Sequence, residues 1–233
     1  MAPTIETVAV VPSRSGSKGM IGKNFSLFAG QPLFMHAINQ GLRTCNRCVF
    51  STDNARALKT VANTKHLRAH RRNRRLAGDN SPIVESIIAI IKDESLFGAT
   101  IVLLQPTSPL RTDQSIIQAL ETYKTGKFDL VMGVSAADSA VLKSGFLHDG
   151  HFVPMNNPEF CFMNRQQLPK VYKPNGTVFV FNGSWLLSNK SLVSNKMGYV
   201  EISAEECVDI DTTKDFMKAE KIFLERNNQM SGK

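Results

Sequence analysis

The run Pro12-Ser-Arg-Ser-Gly-Ser-Lys-Gly-Met-Ile-Gly-Lys-Asn24 sets three glycines and three cations directly behind the apolar residues 8–11. Glycine lets backbone N–H groups approach phosphate oxygens, and Arg14, Lys18 and Lys23 keep their charge at neutral pH. The combination suits a loop wrapped around the polyphosphate of a nucleotide. A Walker A loop would need Gly, four residues, Gly-Lys-Ser/Thr and then a helix. Here Ser17 stands at the first glycine position and Asn24 replaces the metal-binding hydroxyl, while Gly30 and Pro32 prevent a long helix from starting at Lys23. The loop is of another kind, and taken alone it is equally compatible with a solvated turn.

A second constellation lies near the C-terminus, where Asp209-Ile-Asp211 precedes the helical pattern of residues 213–225. Residues i and i+2 of an extended segment point the same way, so both carboxylates can face one hard cation such as Mg2+. Capping competes with this reading, because Asp211, Thr212 or Thr213 could cap the helix and Asp215 suits its first turn. The pair by itself favours capping; a polyphosphate loop in the same chain favours the metal.

These residues need a scaffold, and the apolar periodicity supplies one. Short apolar runs at 8–11, 48–51, 101–104 and 130–134 read as buried strands. Between them, 32–44, 81–92 and 112–124 carry apolar residues at helical spacing, for example Ile83, Ile87, Ile88 and Ile91. Alternation of this size predicts an α/β fold with a Rossmann-like, mainly parallel sheet flanked by helices. Ligands collect beyond the carboxyl ends of such strands, where the glycine loop, Ser51-Thr-Asp53 and Gln105-Pro-Thr-Ser-Pro fall. From about Ser135 the period is lost, and a strand pattern returns at 178–181. The intervening Phe146, Phe152, Met155, Phe160, Phe162 and Met163 need cover, either from the parent domain or from a partner subunit.

The chain of 233 residues, 42% hydrophobic, is long enough for one substantial core. No apolar run reaches the ~20 residues of a membrane span, and Met1 to Glu6 lack a secretory pattern, so a cytoplasmic protein without a membrane partner is expected. The four cysteines, one CxxC at Cys45 and Cys48 plus Cys161 and Cys207, are expected as reduced thiols. A net charge of +8 calls for anionic partners. Its densest cluster, Arg68, Arg71, Arg72, Arg74 and Arg75, has no interleaved aromatics for base stacking, which argues against nucleic acid and for a solvated basic edge.

Taken together, Val11-Pro-Ser-Arg-Ser-Gly-Ser-Lys-Gly with Gly22-Lys-Asn24, Ser51-Thr-Asp53, Leu103-Leu-Gln-Pro-Thr-Ser-Pro-Leu-Arg111 and Asp209-Ile-Asp211 resemble the nucleotide-sugar cytidylyltransferases. Arg165-Gln-Gln-Leu-Pro169 and Pro174-Asn-Gly176 narrow the resemblance to CMP-sialic acid synthetases and relatives acting on other nonulosonic acids; the CMP-KDO synthetases share the first loop and are less similar around Arg165. The motifs keep the family's order and cover nearly the whole chain.

The resemblance implies a single cytidylyltransferase domain over 1–233, with 137–176 as a dimerisation and sugar-binding arm. It implies that Arg14, Ser15, Lys18, Lys23 and Asn24 hold the phosphates and ribose of CTP, with Lys18 and Lys23 offsetting charge as pyrophosphate leaves. Arg72, with Ser81, would read the cytosine. Gln105, Lys143, Arg165 and Asn175 would contact a nine-carbon acidic sugar, while Arg111 has either a structural or a substrate role. Asp209 and Asp211 would bind Mg2+, and Asp211 or hydroxide on the metal would take the proton of the anomeric hydroxyl. The implied assembly is a homodimer with exchanged arms. Two positions depart from the pattern: Ile83 stands where a hydroxyl residue is usual, and Lys173 where an arginine is often found. Lysine cannot reproduce a bidentate carboxylate contact, which leaves room for a sugar other than ordinary sialic acid.

Overall fold

The computed structural model describes residues 5–16, 19–78 and 81–231. Strands β1 (Thr7–Ser13), β2 (Leu27–Phe28) and β3 (Gln31–Pro32) lead to helix α1 (Leu33–Thr44). They are followed by β4 (Arg47–Thr52), α2 (Ala55–Val61), β5 (Leu67–Arg71), α3 (Ile83–Asp93), β6 (Thr100–Leu103), α4 (Asp113–Lys124) and β7 (Leu130–Ala137). A hairpin of β8 (Gly145–His148) and β9 (His151–Pro154) precedes β10 (Val171–Asn182), α5 (Gly183–Asn189), β11 (Met197–Glu201) and α6 (Thr213–Ser231).

Seven strands form one sheet in the order β11-β7-β10-β6-β1-β4-β5, in which β10 alone runs antiparallel to its neighbours. This is the expected mainly parallel α/β sheet. Alternation along β1 sends Ala9 and Val11 to one face and Val8 and Val10 to the other, each fully buried. The first face packs against Phe34, Ala37 and Ile38 of α1 and Ile116, Ala119 and Leu120 of α4; the second packs against Ile87, Ile90 and Ile91 of α3. Both faces are therefore covered, as the continuous apolar strand runs demanded.

The helices predicted from periodicity are present, with small shifts at their starts. Pro32 and Pro82 sit at the N-caps of α1 and α3, and Thr112 caps α4 by accepting from the Ser115 N–H at 3.2 Å. The edge strand β5, Leu-Arg-Ala-His-Arg, carries only Leu67 and Ala69 as apolar residues, both packed on the core, because an edge strand tolerates charge at its remaining positions. Asn175-Gly176, which reads as a turn, lies inside β10 at a register shift between Pro174 and Phe179, where Gly176 takes φ 75°. The inserted segment thus leaves the sheet after Ala137 and rejoins it at Val171, so the sequence boundary at 176 falls within a sheet strand.

No disulfide links Cys45, Cys48, Cys161 or Cys207. Burial pushes the Cys45 thiol up to about 11 and raises Cys48 as well, the opposite of a nucleophilic CxxC. Among the described residues no helix is long and apolar enough to cross a membrane.

Candidate active site

A cleft of about 380 Å³ opens beyond the carboxyl ends of β1 and β6. Its walls bring together Arg14, Lys23, Asn24, Arg72, Ser81, Gln105, Asp209 and Asp211 from segments far apart in the chain. Lys18 lies outside the described residues.

The glycine loop is pinned at both ends. The Ser15 N–H donates to Asp53 Oδ1 at 2.8 Å, which ties the loop to the end of β4, and Ser15 does not itself line the cleft. Asn24, buried in a three-residue 3₁₀ turn at Lys23–Phe25, donates through Nδ2 to the Arg14 carbonyl at 3.2 Å. The turn is too short to present a helix dipole, as the departures from Walker A indicated. Arg14 Nη1 donates to the Gly78 carbonyl at 3.1 Å. A Cβ on Gly19 would stand 2.2 Å from the Asp211 carbonyl oxygen, so only glycine lets the loop pass there.

Opposite the loop, Ile210 is fully buried with Phe28, Leu33 and Phe216, and its N–H donates to the Thr107 carbonyl at 2.8 Å. Ile210 therefore anchors the segment, and the flanking Asp209 and Asp211 both line the cleft, the i, i+2 arrangement expected of extended chain. Helix capping falls to other groups. Thr212 and Asp215 exchange hydrogen bonds, with Thr212 N donating to Asp215 Oδ2 at 2.9 Å and Asp215 N to Thr212 Oγ1 at 3.2 Å. Asp211 is thereby left to the cleft, where Oδ1 accepts from Lys23 Nζ at 2.9 Å. The concave wall shields Asp209 although its side chain reaches solvent. This desolvation raises its pKa first of all, the Thr107 hydroxyl opposes the rise, and the nearby Asp211 carboxylate adds to it.

At the far end, Arg72 is 7% exposed, with Nε and Nη2 lacking hydrogen-bond partners among the described residues. Among the described residues, Asn24 Oδ1, Ser13 Oγ and Ser108 Oγ are also buried and unpaired. Desolvation lowers the Arg72 pKa, against the pull of Asp53. Unpaired buried donors and acceptors are costly, and those of Arg72 and Asn24, both lining the cleft, fit a polar ligand. The arginine cluster thus divides: Arg72 faces the cleft, Arg68 pairs with Glu94 at 3.0 Å, and Arg71, Arg74 and Arg75 are exposed.

Arg111 is resolved as a brace. It is 2% exposed, and its guanidinium donates to Gln40 Oε1 at 2.9 Å, the Thr177 carbonyl at 2.7 Å and the Gln105 carbonyl at 2.9 Å. It supports the loop that carries Gln105 and Thr107 from below.

Three residues assigned to sugar contact lie outside the lining. Lys143 donates to the Met163 carbonyl, Arg165 pairs with Asp138 at 2.8 Å, and both belong to the inserted arm. Asn175 spends its amide on Thr177 and Cys207. Gly176 nevertheless approaches Gln105, with an added Cβ 3.9 Å from its Oε1. The lining also includes Ile83, noted in the sequence as a departure at a base-contact position, and Leu76, Ser86 and Thr107, to which the sequence reading gave no site role. Thr107 lay within a quoted strand-end motif, and Leu76 opens the Leu76-Ala77 motif that follows Arg72; Ser86 carries no local signal.

A mainly parallel sheet with a cationic glycine loop at its strand ends defines a nucleotide-handling α/β protein. The cytidylyltransferase family model matches residues 8–230, and the chain belongs to that family. It is 30% identical to CMP-N,N'-diacetyllegionaminic acid synthase of Legionella pneumophila over 93% of this chain and 95% of that protein. It is 25% identical to N-acylneuraminate cytidylyltransferase of Streptococcus agalactiae over 91% of this chain, and spans about half (52%) of that longer protein. The structure of CMP:2-keto-3-deoxy-manno-octonic acid synthetase complexed with CTP shares the fold, with a TM-score of 0.73 over 95% of this chain and 99% of that one at 14% identity.

Proposed function

We propose that the protein activates a nonulosonic acid with CTP, joining the sugar's anomeric oxygen to the α-phosphorus and releasing pyrophosphate. The observation that carries this reading is one cleft lined by Lys23, by Arg14, by Arg72, whose Nε and Nη2 lack hydrogen-bond partners among the described residues, and by the carboxylates of Asp209 and Asp211. The relatives named for legionaminic and N-acylneuraminic acids support the sugar class.

Arg72 takes the base: its buried Nε and Nη2, without partners among the described residues, are donors only and suit the adjacent acceptors O2 and N3 of cytosine. Arg14 and Lys23, with Lys18, bind the phosphates and offset the charge that builds on departing pyrophosphate. Asp209 and Asp211 hold Mg2+. No group of three or more His, Cys, Asp or Glu that could hold a metal occurs among the described residues, and a carboxylate pair completed by substrate phosphates is the usual Mg2+ arrangement. The bound cation would neutralise phosphate charge and acidify the sugar hydroxyl. Asp211, its side chain 74% exposed, accepts the hydroxyl proton as the oxygen attacks phosphorus in line with the leaving pyrophosphate.

The arm completes the sugar site from a second subunit. Phe146, Leu147 and Phe162 are 63%, 86% and 91% exposed, an apolar load that one protomer leaves uncovered. A homodimer with exchanged arms covers these side chains and brings Lys143 and Arg165 to a neighbouring cleft. Sedimentation should give a dimer for the native chain, and Phe146→Ser with Leu147→Ser should shift it to monomer with loss of turnover. A monomeric native chain overturns the arm's role.

The function is tested by pyrophosphate release from CTP with a panel of sialic, legionaminic, pseudaminic and KDO acids, with and without Mg2+. Release should require a nonulosonic acid; no release with any of them removes the assignment. Arg72→Met should raise the KM for CTP about a hundredfold, the scale of a lost charged hydrogen-bonding pair. Arg74→Ser with Arg75→Ser should change it by less than about twofold, as expected of solvated surface charges. Equal effects would return the arginines to one undivided basic patch.

A further inference from the structure

Lys23 does not point freely into the cleft. Its Nζ lies 2.9 Å from Asp211 Oδ1 and also donates to the Ile210 carbonyl, so it bonds to the segment assigned to Mg2+. The lysine side chain is 11% exposed, whereas that of Asp211 is 74% exposed. The cation is thus the shielded member, held by protein on most sides. Among the described residues, Lys23 forms an ion pair with Asp211 across the cleft.

We propose that Lys23 is the resting counterion of the divalent-cation site: its ammonium is held on Asp211, beside Asp209, until metal and nucleotide arrive together. The proposal rests on the Mg2+ reading above. A divalent cation entering alone must share the carboxylates with an ammonium a few ångströms away, and this repulsion keeps the metal affinity of the free protein low. CTP changes the balance by offering the flexible lysine a second anionic partner. As Lys23 moves onto the phosphates, the carboxylates become available to the metal. Metal and nucleotide therefore strengthen each other's binding by the same factor, as linkage requires. The same side chain that later offsets the charge of pyrophosphate also prevents the site from filling without substrate.

The test is Mn2+ binding to the nucleotide-free protein, followed by the loss of the free-ion EPR signal. Lys23→Gln, whose amide can still donate to the Ile210 carbonyl, should bind one Mn2+ about tenfold tighter than the native chain. Lys23→Arg keeps the positive charge and should stay at the native level, and adding Asp211→Asn to Lys23→Gln should erase the gain. Thermal unfolding checks that each variant is folded; should Lys23→Gln not fold, Lys23→Met is measured in its place. Equal Mn2+ affinity in the native and Lys23→Gln chains, with a site still lost in Asp211→Asn, overturns the counterion role and leaves the metal reading standing. Mn2+ binding that ignores Asp211 in every chain, with or without CTP, overturns both.

Discussion

Asp211→Asn should lower pyrophosphate release from CTP by at least about 10³-fold, the upper range for removing one preorganised electrostatic group from an active site. The fold should be untouched, with the unfolding temperature within about 2 °C of the native value, because the Asp211 side chain is 74% exposed, an Asn amide oxygen can still accept from Lys23, and the Ile210 carbonyl remains a second acceptor for the shielded ammonium. The geometry separates these outcomes. Thr212 and Asp215 perform the capping that Asp211 could have performed, so the amide substitution breaks no helix start. What it removes is one of two carboxylates facing the cleft and the partner of Lys23. Turnover within tenfold of native would assign the aspartate pair to structure alone. The measurement is a coupled pyrophosphate assay at saturating CTP and sugar, paired with thermal unfolding.

Arg111→Met should act on the other axis, costing about 3–5 kcal/mol of stability, since each buried acceptor stripped of its donor costs about 1–3 kcal/mol. The carbonyls of Thr177 and Gln105 and the Gln40 amide oxygen would all lose their donor. Part of this is offset because a charge is no longer buried; burial already lowers the Arg111 pKa, only partly opposed by Asp113. For a chain of this size the unfolding temperature should drop by roughly 10 °C. Arg111→Lys should rescue little, since a single ammonium cannot span three acceptors set apart by a planar fork. A drop below about 2 °C for Arg111→Met would remove the brace. Because the Gln105 carbonyl is one acceptor, residual folded enzyme should also bind sugar less tightly, a secondary effect visible in KM.

Much of the scaffold was legible in the sequence. Residues 8–11, 101–104 and 130–134 are apolar on both faces because both faces of their strands are covered, and that demand is written into each residue. The helices carry their period for the same reason. The misses are equally physical. Strand β5 lies at the sheet edge and needs few apolar residues, so its arginines look like a solvated run. Helix α2 has seven residues and starts at an Asn54 cap, too short for a period to register. The hairpin β8–β9 did carry a signal, since His148-Asp-Gly-His151 sets Asp149 at φ 48° and Gly150 at φ 78°, the paired left-handed conformations of a tight hairpin turn.

The site divides along the same line. The types and spacing in the chain determined its chemical repertoire: a glycine loop with cations for polyphosphate, and two carboxylates two residues apart for a hard cation. Those properties are local, because side-chain charge and the twofold repeat of extended chain need no distant partner. Tertiary structure decided which arginine of the cluster is buried at the cleft, which of Asp211 and Asp215 joins the helix cap, and that Arg111 braces rather than binds. It also paired Lys23 with an aspartate 188 residues away. Burial, desolvation and ion pairing arise where segments converge, and convergence is a property of the packed sheet and not of any one stretch of chain.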